Sequence, residues 1–123
     1  MILFVDVPWL LQRQEEVVPE SADVADYSSL DAVVARHRCE TPRLGYTPDS
    51  AWRAAALLAT IVTCRPLPAR NERFGSLCAV QYMHLCGEGI DAPFGELIKL
   101  CASLHTGTVD VFGVAAAVRS WRV

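Results

Sequence analysis

Apolar residues recur along this chain at the three- and four-residue spacing of amphipathic helices, without the strict alternation that marks strands. The first helix is predicted to begin at Asp6, a capping residue with proline in the following turn, and to end before Pro19. The second is predicted to begin at Ser28 or Ser29, either of which can cap it, and to carry His37 on its apolar face.

The third predicted helix is the most apolar part of the sequence. A loop rich in proline and glycine precedes it, and Asp49 or Ser50 caps the run AWRAAALLATIVT, in which Arg53 is the single charge. A helix that is apolar nearly all round belongs at the centre of a bundle. We therefore expect the other helices to pack around this one.

Three further helices follow. The fourth helix is predicted to be capped by Asn71 and ended by Gly87. The fifth is predicted to start at Asp91 and stop at Gly107. The sixth is predicted to run from about Asp110 to Trp121. The fifth carries an apolar stripe that the pattern places inward: Phe94, Leu97, Ile98, Cys101 and Leu104. The prediction is an all-α fold, a compact six-helix bundle around a central apolar helix, with residues 1–123 as one domain.

Composition adds a surplus of apolar surface to this picture. The chain has 123 residues, of which 52% are hydrophobic, and so small a volume cannot hide that much apolar surface. Part of this surface is expected to face a protein partner. A homodimer is compatible with it, although nothing in the sequence specifies one.

Charge and cysteine usage exclude several classes of protein. A net charge of −3 argues against a general nucleic-acid binder, and the absence of an apolar run of ~18 residues argues against a membrane span. The opening MILFVDV lacks the basic residues of a signal peptide. Five cysteines without a C-x-x-C pair fit neither a disulfide framework nor a zinc site. We expect a cytoplasmic protein with reduced thiols and no metal or other cofactor.

The stretch CRPLPARNERFG, residues 64–75, is the candidate site. Its two prolines hold the chain extended up to Asn71, where the free N–H groups of a new helix favour an anion. Arg65, Arg70 and Arg73 place three guanidinium groups nearby, offset by Glu72. These residues are the predicted binding site for a phosphate or carboxylate. The alternative is that the arginines are solvated or paired with acids of the first helix.

Other reactive side chains are fewer. Cys64 lies beside Arg65, and a thiol next to a cation can be activated as a nucleophile, so it is a weak catalytic candidate. His37, His84 and His105 lie near the C-terminal ends of their helices and are interpreted as surface or C-capping residues rather than parts of the loop site.

The order of elements resembles that of Fic/Doc proteins, and the chain is most similar to the small Doc-type toxins of bacterial toxin–antitoxin pairs. The resemblance rests on the apolar helix ending in ALLATIVT, the stiff loop, a helix opened by Asn-x-Arg, and the late run TGTVDVFGVAAAVRSW. It spans nearly the whole chain and implies a Fic/Doc-like helical bundle. The family signature, His-x-Phe-x-Asp/Glu-Gly/Ala-Asn-Lys/Gly-Arg, aligns without a gap on Arg65–Arg73.

The aligned signature is degenerate. Arg65 stands where the family has its general base, and Ala69 stands where the family has a metal-binding acid. Leu67 replaces the family's phenylalanine, Arg70 replaces a small residue, and Glu72 brings a negative charge to the phosphate position. Loss of a general base alone costs ~10²–10⁴-fold in rate. Transfer of AMP or phosphate by the family mechanism is therefore not expected.

Within the signature, Asn71 and Arg73 match the family. The resemblance implies a partner peptide, because toxins of this family are clasped by an antitoxin segment. The first hypothesis is thus a pseudoenzyme that binds a protein partner or an anionic ligand through Arg65, Arg70, Asn71 and Arg73. The second is an enzyme with changed chemistry that uses the arginine-rich loop and Cys64. The third is a Doc-like toxin.

Overall fold

The computed structural model describes residues 2–17 and 26–123. These residues form six α-helices: α1 (Val7–Val17), α2 (Tyr27–Arg38), α3 (Ser50–Cys64), α4 (Asn71–Leu85), α5 (Glu96–Thr106) and α6 (Val111–Trp121). Extended pairing in the described ranges is limited to one isolated bridge between Ile90 and Arg122. The prediction of an all-α fold is confirmed for this part of the chain, while the predicted end of the first helix at Pro19 lies outside it.

Helix α3 is the centre of the fold, as its composition predicts. It packs against α2, α4, α5 and α6, while α1 lies against α4 and α2. The Asp49 side chain caps it by accepting a hydrogen bond of 2.9 Å from the backbone N–H of Trp52. Nearly every residue from Ala51 to Val62 is buried. None of the described helices has the length and apolar character needed to cross a bilayer.

The charge in α3 is buried rather than exposed. Arg53 is 2% exposed, and its Nη1 donates to the carbonyl oxygens of His37, at 2.7 Å, and Cys39, at 3.3 Å. The guanidinium also lies 4.8 Å from the centre of the Phe4 ring. Arg53 therefore satisfies the backbone at the end of α2 and joins it to α3 and to the N-terminal segment.

His37 is part of the same buried cluster, so its interpretation as a surface or capping histidine is wrong. Its Nε2 accepts from the backbone N–H of Val5 at 3.1 Å, and its Nδ1 donates to the carbonyl oxygen of Arg53 at 3.0 Å. Burial lowers the pKa of His37 from 6.5 to about 4, and the positive charges of Arg53 and Arg38 act in the same direction. His37 is a neutral structural residue.

Helix α2 is capped two or three residues earlier than the serines suggested. Asp26 occupies the capping position, and its carboxylate accepts from the backbone N–H of Ser28 at 2.9 Å and from the hydroxyl of Ser29 at 3.1 Å. Both serines lie inside the helix that begins at Tyr27. The predicted cap at Ser28 or Ser29 is wrong, because an aspartate two residues upstream accepts these bonds instead.

Helix α5 begins later than predicted, at Glu96 rather than Asp91. The backbone N–H of Asp91 donates to the carbonyl oxygen of Trp121 at 2.8 Å, so this segment pairs with the C-terminal residues. Gly95, at φ 84°, then takes up the left-handed conformation that precedes the helix. As a result, Phe94 and Ile98 of the predicted inward stripe are exposed to solvent.

Candidate functional site

The candidate site is built around the loop that joins α3 to α4. Two of its residues, Arg65 at φ 51° and Arg70 at φ 63°, adopt the left-handed conformation that residues other than glycine rarely take. Between them Leu67 is buried in the core, and the carbonyl oxygen of Pro66 accepts from the backbone N–H of Asp26 at 3.3 Å. The loop is anchored at its middle and turns sharply at each end.

Asn71 holds this loop from inside the protein. Its side chain is fully buried, with Oδ1 accepting from the backbone N–H of Leu67 and Nδ2 donating to the carbonyl oxygen of the same residue, each at 2.9 Å. The prediction that Asn71 caps α4 is wrong, because Arg70 occupies the capping position and makes no side-chain capping bond. Asn71 therefore has a structural role: its buried side chain holds the loop through the two bonds to Leu67.

Glu72 occupies the start of α4, where the sequence suggested an external anion. Its Oε1 lies 2.6 Å from Nε2 of His105 and 3.1 Å from Nη1 of Arg65. Its own backbone N–H, then His105, and finally Arg65 lower the pKa of the Glu72 carboxyl from 4.5 to about 2. Arg65 and His105 therefore already face a carboxylate of the protein itself.

The three arginines point in different directions. Arg65 pairs with Glu72, whereas Nη1 of Arg70 donates to the carbonyl oxygen of Val17 at the end of α1, at 3.1 Å. Arg73 is exposed one position beyond Glu72. Arg65 and Arg73 thus lie near the start of α4 together with His105, while Arg70 is directed toward α1. Ligand binding by Arg65, Arg70, Asn71 and Arg73 stays a prediction.

A cleft of about 530 Å³ opens beside this cluster, between α4 and α5. Residues of both helices line it: Glu72, Arg73, Ser76, Leu97, Ile98, Cys101, Ala102 and His105. Its volume falls within the range of small-molecule and peptide side-chain pockets. Apolar side chains of α5 form one wall, and the charged residues stand at one end, so the cleft suits a ligand with an apolar body and a polar or charged group.

The sequence interpretation did not place His105 at the site. It kept His105 apart from the loop because this residue lies near the end of the fifth helix, 33 positions after Glu72 in the sequence. One signal was available, since Cys101 and His105 are one turn apart on α5, as Glu72 and Ser76 are on α4. In the structure the two pairs face each other, with Oγ of Ser76 3.8 Å from Sγ of Cys101. Burial raises the pKa of the Cys101 thiol and keeps it protonated.

Cys64, the candidate nucleophile, is exposed at the C-terminal end of α3. In residues 2–17 and 26–123, no hydrogen bond joins its thiol to a base. The same ranges contain no group of three or more histidine, cysteine or acidic side chains placed to hold a metal ion.

Replacing His105 with alanine is expected to raise the pKa of Glu72 from about 2 toward its ordinary value. The reason is that the variant removes the second of the donors that favour the ionised carboxylate. An NMR titration of the Glu72 side-chain carboxyl carbon measures this pKa directly. The matched control is His84→Ala, an exposed histidine of α4 that should leave the Glu72 titration unchanged. An equal effect of both variants would show that the contact between α4 and α5 does not control this carboxyl.

No protein-family model matches the sequence, and none of the curated proteins is significantly similar to it. The resemblance to Fic/Doc proteins therefore rests on the residues quoted above.

Proposed function

We propose that this chain is a degenerate Fic/Doc-fold protein that binds a protein partner through the cleft between α4 and α5 and does not transfer nucleotidyl or phosphoryl groups. The observation that carries the proposal is the cleft itself, with an apolar wall from α5 and a charged end at Arg73, Glu72 and His105. Such a protein would act by binding its partner, as a bacterial cytoplasmic control protein rather than as a catalyst.

The contacts of the aligned signature support the absence of transfer chemistry. Arg65, which stands at the position of the family's base, is a permanent cation and is paired with Glu72. The Glu72 carboxylate lies where a phosphate would need the free N–H groups at the start of α4, and its negative charge opposes a phosphate there. Ala69 supplies no oxygen for a divalent metal. Catalysis by the family route would require all three features to change.

The exposed apolar residues near the cleft support a protein partner. Ile98 lines the cleft and is 76% exposed, and Phe94 lies fully exposed in the turn before α5. Isolated exposed apolar residues are ordinary, but Ile98 belongs to a cleft wall that Leu97 and Ala102 extend into a larger apolar surface. Partners cover such surfaces because burial of apolar area is the main favourable contribution to association.

Arg73 gives the cleft a recognition element for a negative group. Its guanidinium lines the cleft, and no acidic side chain of the described residues pairs with it. A guanidinium in this position can form a two-pronged bond with a carboxylate or phosphate of the bound segment. The anionic ligand predicted from the sequence is then one group of the partner, located at Arg73 rather than at Arg70 or Asn71.

Site-specific photocrosslinking tests this proposal. A small diazirine amino acid is introduced at Ala102, an exposed alanine in the cleft, and in a second variant at Ala116, an exposed alanine of α6 outside it. Illumination in cells is expected to give a discrete adduct from position 102 and none from position 116. The adduct should disappear when Ile98→Asp places a charge in the apolar wall.

Three outcomes would contradict the proposal. Equal labelling at both positions, or at neither, would show that the cleft is not a binding site. Transfer of labelled AMP or phosphate to a substrate by the purified chain would show that catalysis survives. Growth arrest on expression, reversed by a neighbouring gene product, would instead favour a Doc-like toxin.

A further inference from the structure

We infer that a second pocket, at the start of α3, binds a free α-amino acid with an aliphatic side chain, its carboxylate at Arg53 and its ammonium group at Glu88. This pocket has a volume of about 370 Å³ and is formed by the N-terminal segment, the first turn of α3 and the end of α4. We call it the N-terminal pocket. It shares no lining residue with the cleft between α4 and α5, so the inference is independent of the proposed function.

Arg53 is a buried cation without a counter-charge, and it lines the N-terminal pocket. In the described ranges, the only guanidinium nitrogen with hydrogen-bond acceptors is Nη1, and these acceptors are backbone carbonyl oxygens that carry no net charge. Its Nε is buried and makes no hydrogen bond to any described group. Because burial removes the water that would solvate this charge, an anion that reaches Arg53 is strongly favoured.

The two acidic side chains of the N-terminal pocket differ in how fully they are paired. Asp49 caps α3 and is held by Arg119, whose Nε and Nη2 lie 2.8 and 3.0 Å from its carboxylate oxygens. Glu88 accepts from the hydroxyl of Ser50 and lies 3.6 Å from Nε of Arg122, a distance too long for a hydrogen bond. The charge of Glu88 is therefore the less compensated of the two.

The N-terminal pocket thus presents one cation and one anion that form no ion pair with each other. A ligand with only a carboxylate would be attracted by Arg53 but repelled by Glu88, and a ligand with only an amine would meet the reverse situation. An α-amino acid carries both charges on neighbouring groups. It can therefore satisfy Arg53 and Glu88 together without bringing a net charge into the protein.

Apolar side chains and volume define the rest of the ligand. Ile2, Leu3 and Pro48 line the N-terminal pocket beside the two charged residues. An aliphatic side chain of the ligand can be removed from water against them. The volume of about 370 Å³ is near the lower limit of small-molecule pockets, which suits a single amino acid better than a nucleotide or a longer peptide. Leucine is accordingly the probe for this site.

Titration of the isotope-labelled full chain with leucine, followed by NMR, tests the inference. At leucine concentrations up to about 10 mM, which reveal dissociation constants in the millimolar range, we expect saturable shifts of the backbone amides of Ser50 and Glu88. The Nε–H signal of Arg53 should shift with the same saturation curve, because the carboxylate would bind this guanidinium. The amide of Ala102, in the cleft between α4 and α5, should not move.

Analogues of the ligand test each charge without altering the fold. Isocaproate has the carbon skeleton of leucine without the ammonium group, and isoamylamine has it without the carboxylate. Each is expected to bind at least about tenfold more weakly than leucine, because a charged group of the pocket loses its partner. This route is preferable to replacing Arg53, since that change would also remove the bonds to the carbonyl oxygens of His37 and Cys39.

Glu88→Gln identifies the partner of the ammonium group. Glutamine keeps the shape of the side chain and can still accept from Ser50, so this variant should fold, which thermal unfolding checks. The preference for leucine over isocaproate should disappear in it. Glu40→Gln is the matched control, because Glu40 is exposed and lies outside the N-terminal pocket, and it should keep the full preference.

Each contrary result would overturn the inference. One is the absence of saturable shifts with leucine, and another is saturation at Ala102 instead of the N-terminal pocket. Equal binding of leucine and isocaproate would show that the ammonium group is not recognised. An unmoved Nε–H signal of Arg53, or a preference for leucine that survives in Glu88→Gln, would show that these two residues do not hold the charges of the ligand.

Discussion

Lowering the pH from 6.5 to 4 is expected to reduce the free energy of unfolding by about 3 kcal/mol through His37 alone. The pKa of this residue is lowered to about 4 in the folded chain, so the unfolded chain takes up the proton first. The contribution is fully present above pH 6.5, falls by about 1.4 kcal/mol per pH unit below it, and levels off once the folded chain is also protonated. Urea unfolding across this pH window measures the change.

The contacts of His37 explain why a second proton is poorly tolerated. Its Nε2 accepts the N–H of Val5, so protonation there would set two N–H groups against each other. The guanidinium of Arg53 lies in the same cluster, and the aromatic ring of Tyr82 packs edge-on at 4.8 Å. No acidic side chain appears among the contacts that the structure gives for this imidazole ring. A buried imidazolium would therefore lack a compensating charge.

Two variants separate His37 from other titrating groups. His37→Gln should remove most of the pH dependence in this window, although the variant will be less stable at neutral pH. His84→Gln should behave as the unmodified chain, because His84 is exposed. Glu72 adds acid sensitivity below pH 4.5, where its lowered pKa makes its contribution fall, but its exposure keeps that effect small. A stability that does not change between pH 6.5 and 4 would contradict the buried, neutral state of His37.

Local signals allowed much of the fold to be predicted from the sequence. The position of α3 followed from its composition, because a helix with one charge in fifteen residues has no face suited to water. Asp49 caps α3 as expected, α6 begins directly after Asp110, and Gly107 ends α5 in the left-handed conformation. These features depend on neighbours within a few positions, which a sequence displays directly.

The errors have a common physical origin in contacts between distant segments. The start of α5 was misplaced because Asp91 is held by Trp121 across the fold, and His37 was misplaced because Val5 and Arg53 surround it. The pairing of His105 with Glu72 depends on how α5 lies against α4. Residue types and spacing do not specify such packing. The residues near the start of α4 were therefore predicted only in part, since Arg65 and Arg73 were named and His105 was not.

For Asn71, too, the sequence predicted the position of the residue but not its contacts. The sequence placed an important asparagine at the end of the loop, and the structure confirms its position at the start of α4. Its function in the fold is different, because both groups of its side-chain amide bind Leu67 instead of the helix. An asparagine side chain can bond either to the N–H groups of a helix or to the backbone of a loop, and here burial of the loop decides between these two sets of bonds.

Replacing Asn71 with alanine is expected to destabilise the chain by about 2–4 kcal/mol, since it leaves the N–H and the carbonyl oxygen of Leu67 without partners in a buried loop. The loss should be large because Arg65 and Arg70 hold left-handed conformations at the ends of that loop, which the two bonds help to maintain. Urea unfolding at neutral pH measures it.

Asn71→Asp distinguishes the two bonds from simple loss of volume. The aspartate has nearly the same shape and can still accept from the N–H of Leu67, but it cannot donate to the carbonyl oxygen at 2.9 Å and would place a negative charge beside it. It should therefore destabilise the chain at neutral pH by an amount comparable to alanine. Ser76→Ala, a half-buried change five positions further along α4, is the control and should alter stability little. If Asn71→Asp were as stable as the unmodified chain, the amide bonds could not be what holds the loop, and its conformation would have to depend on the burial of Leu67 instead.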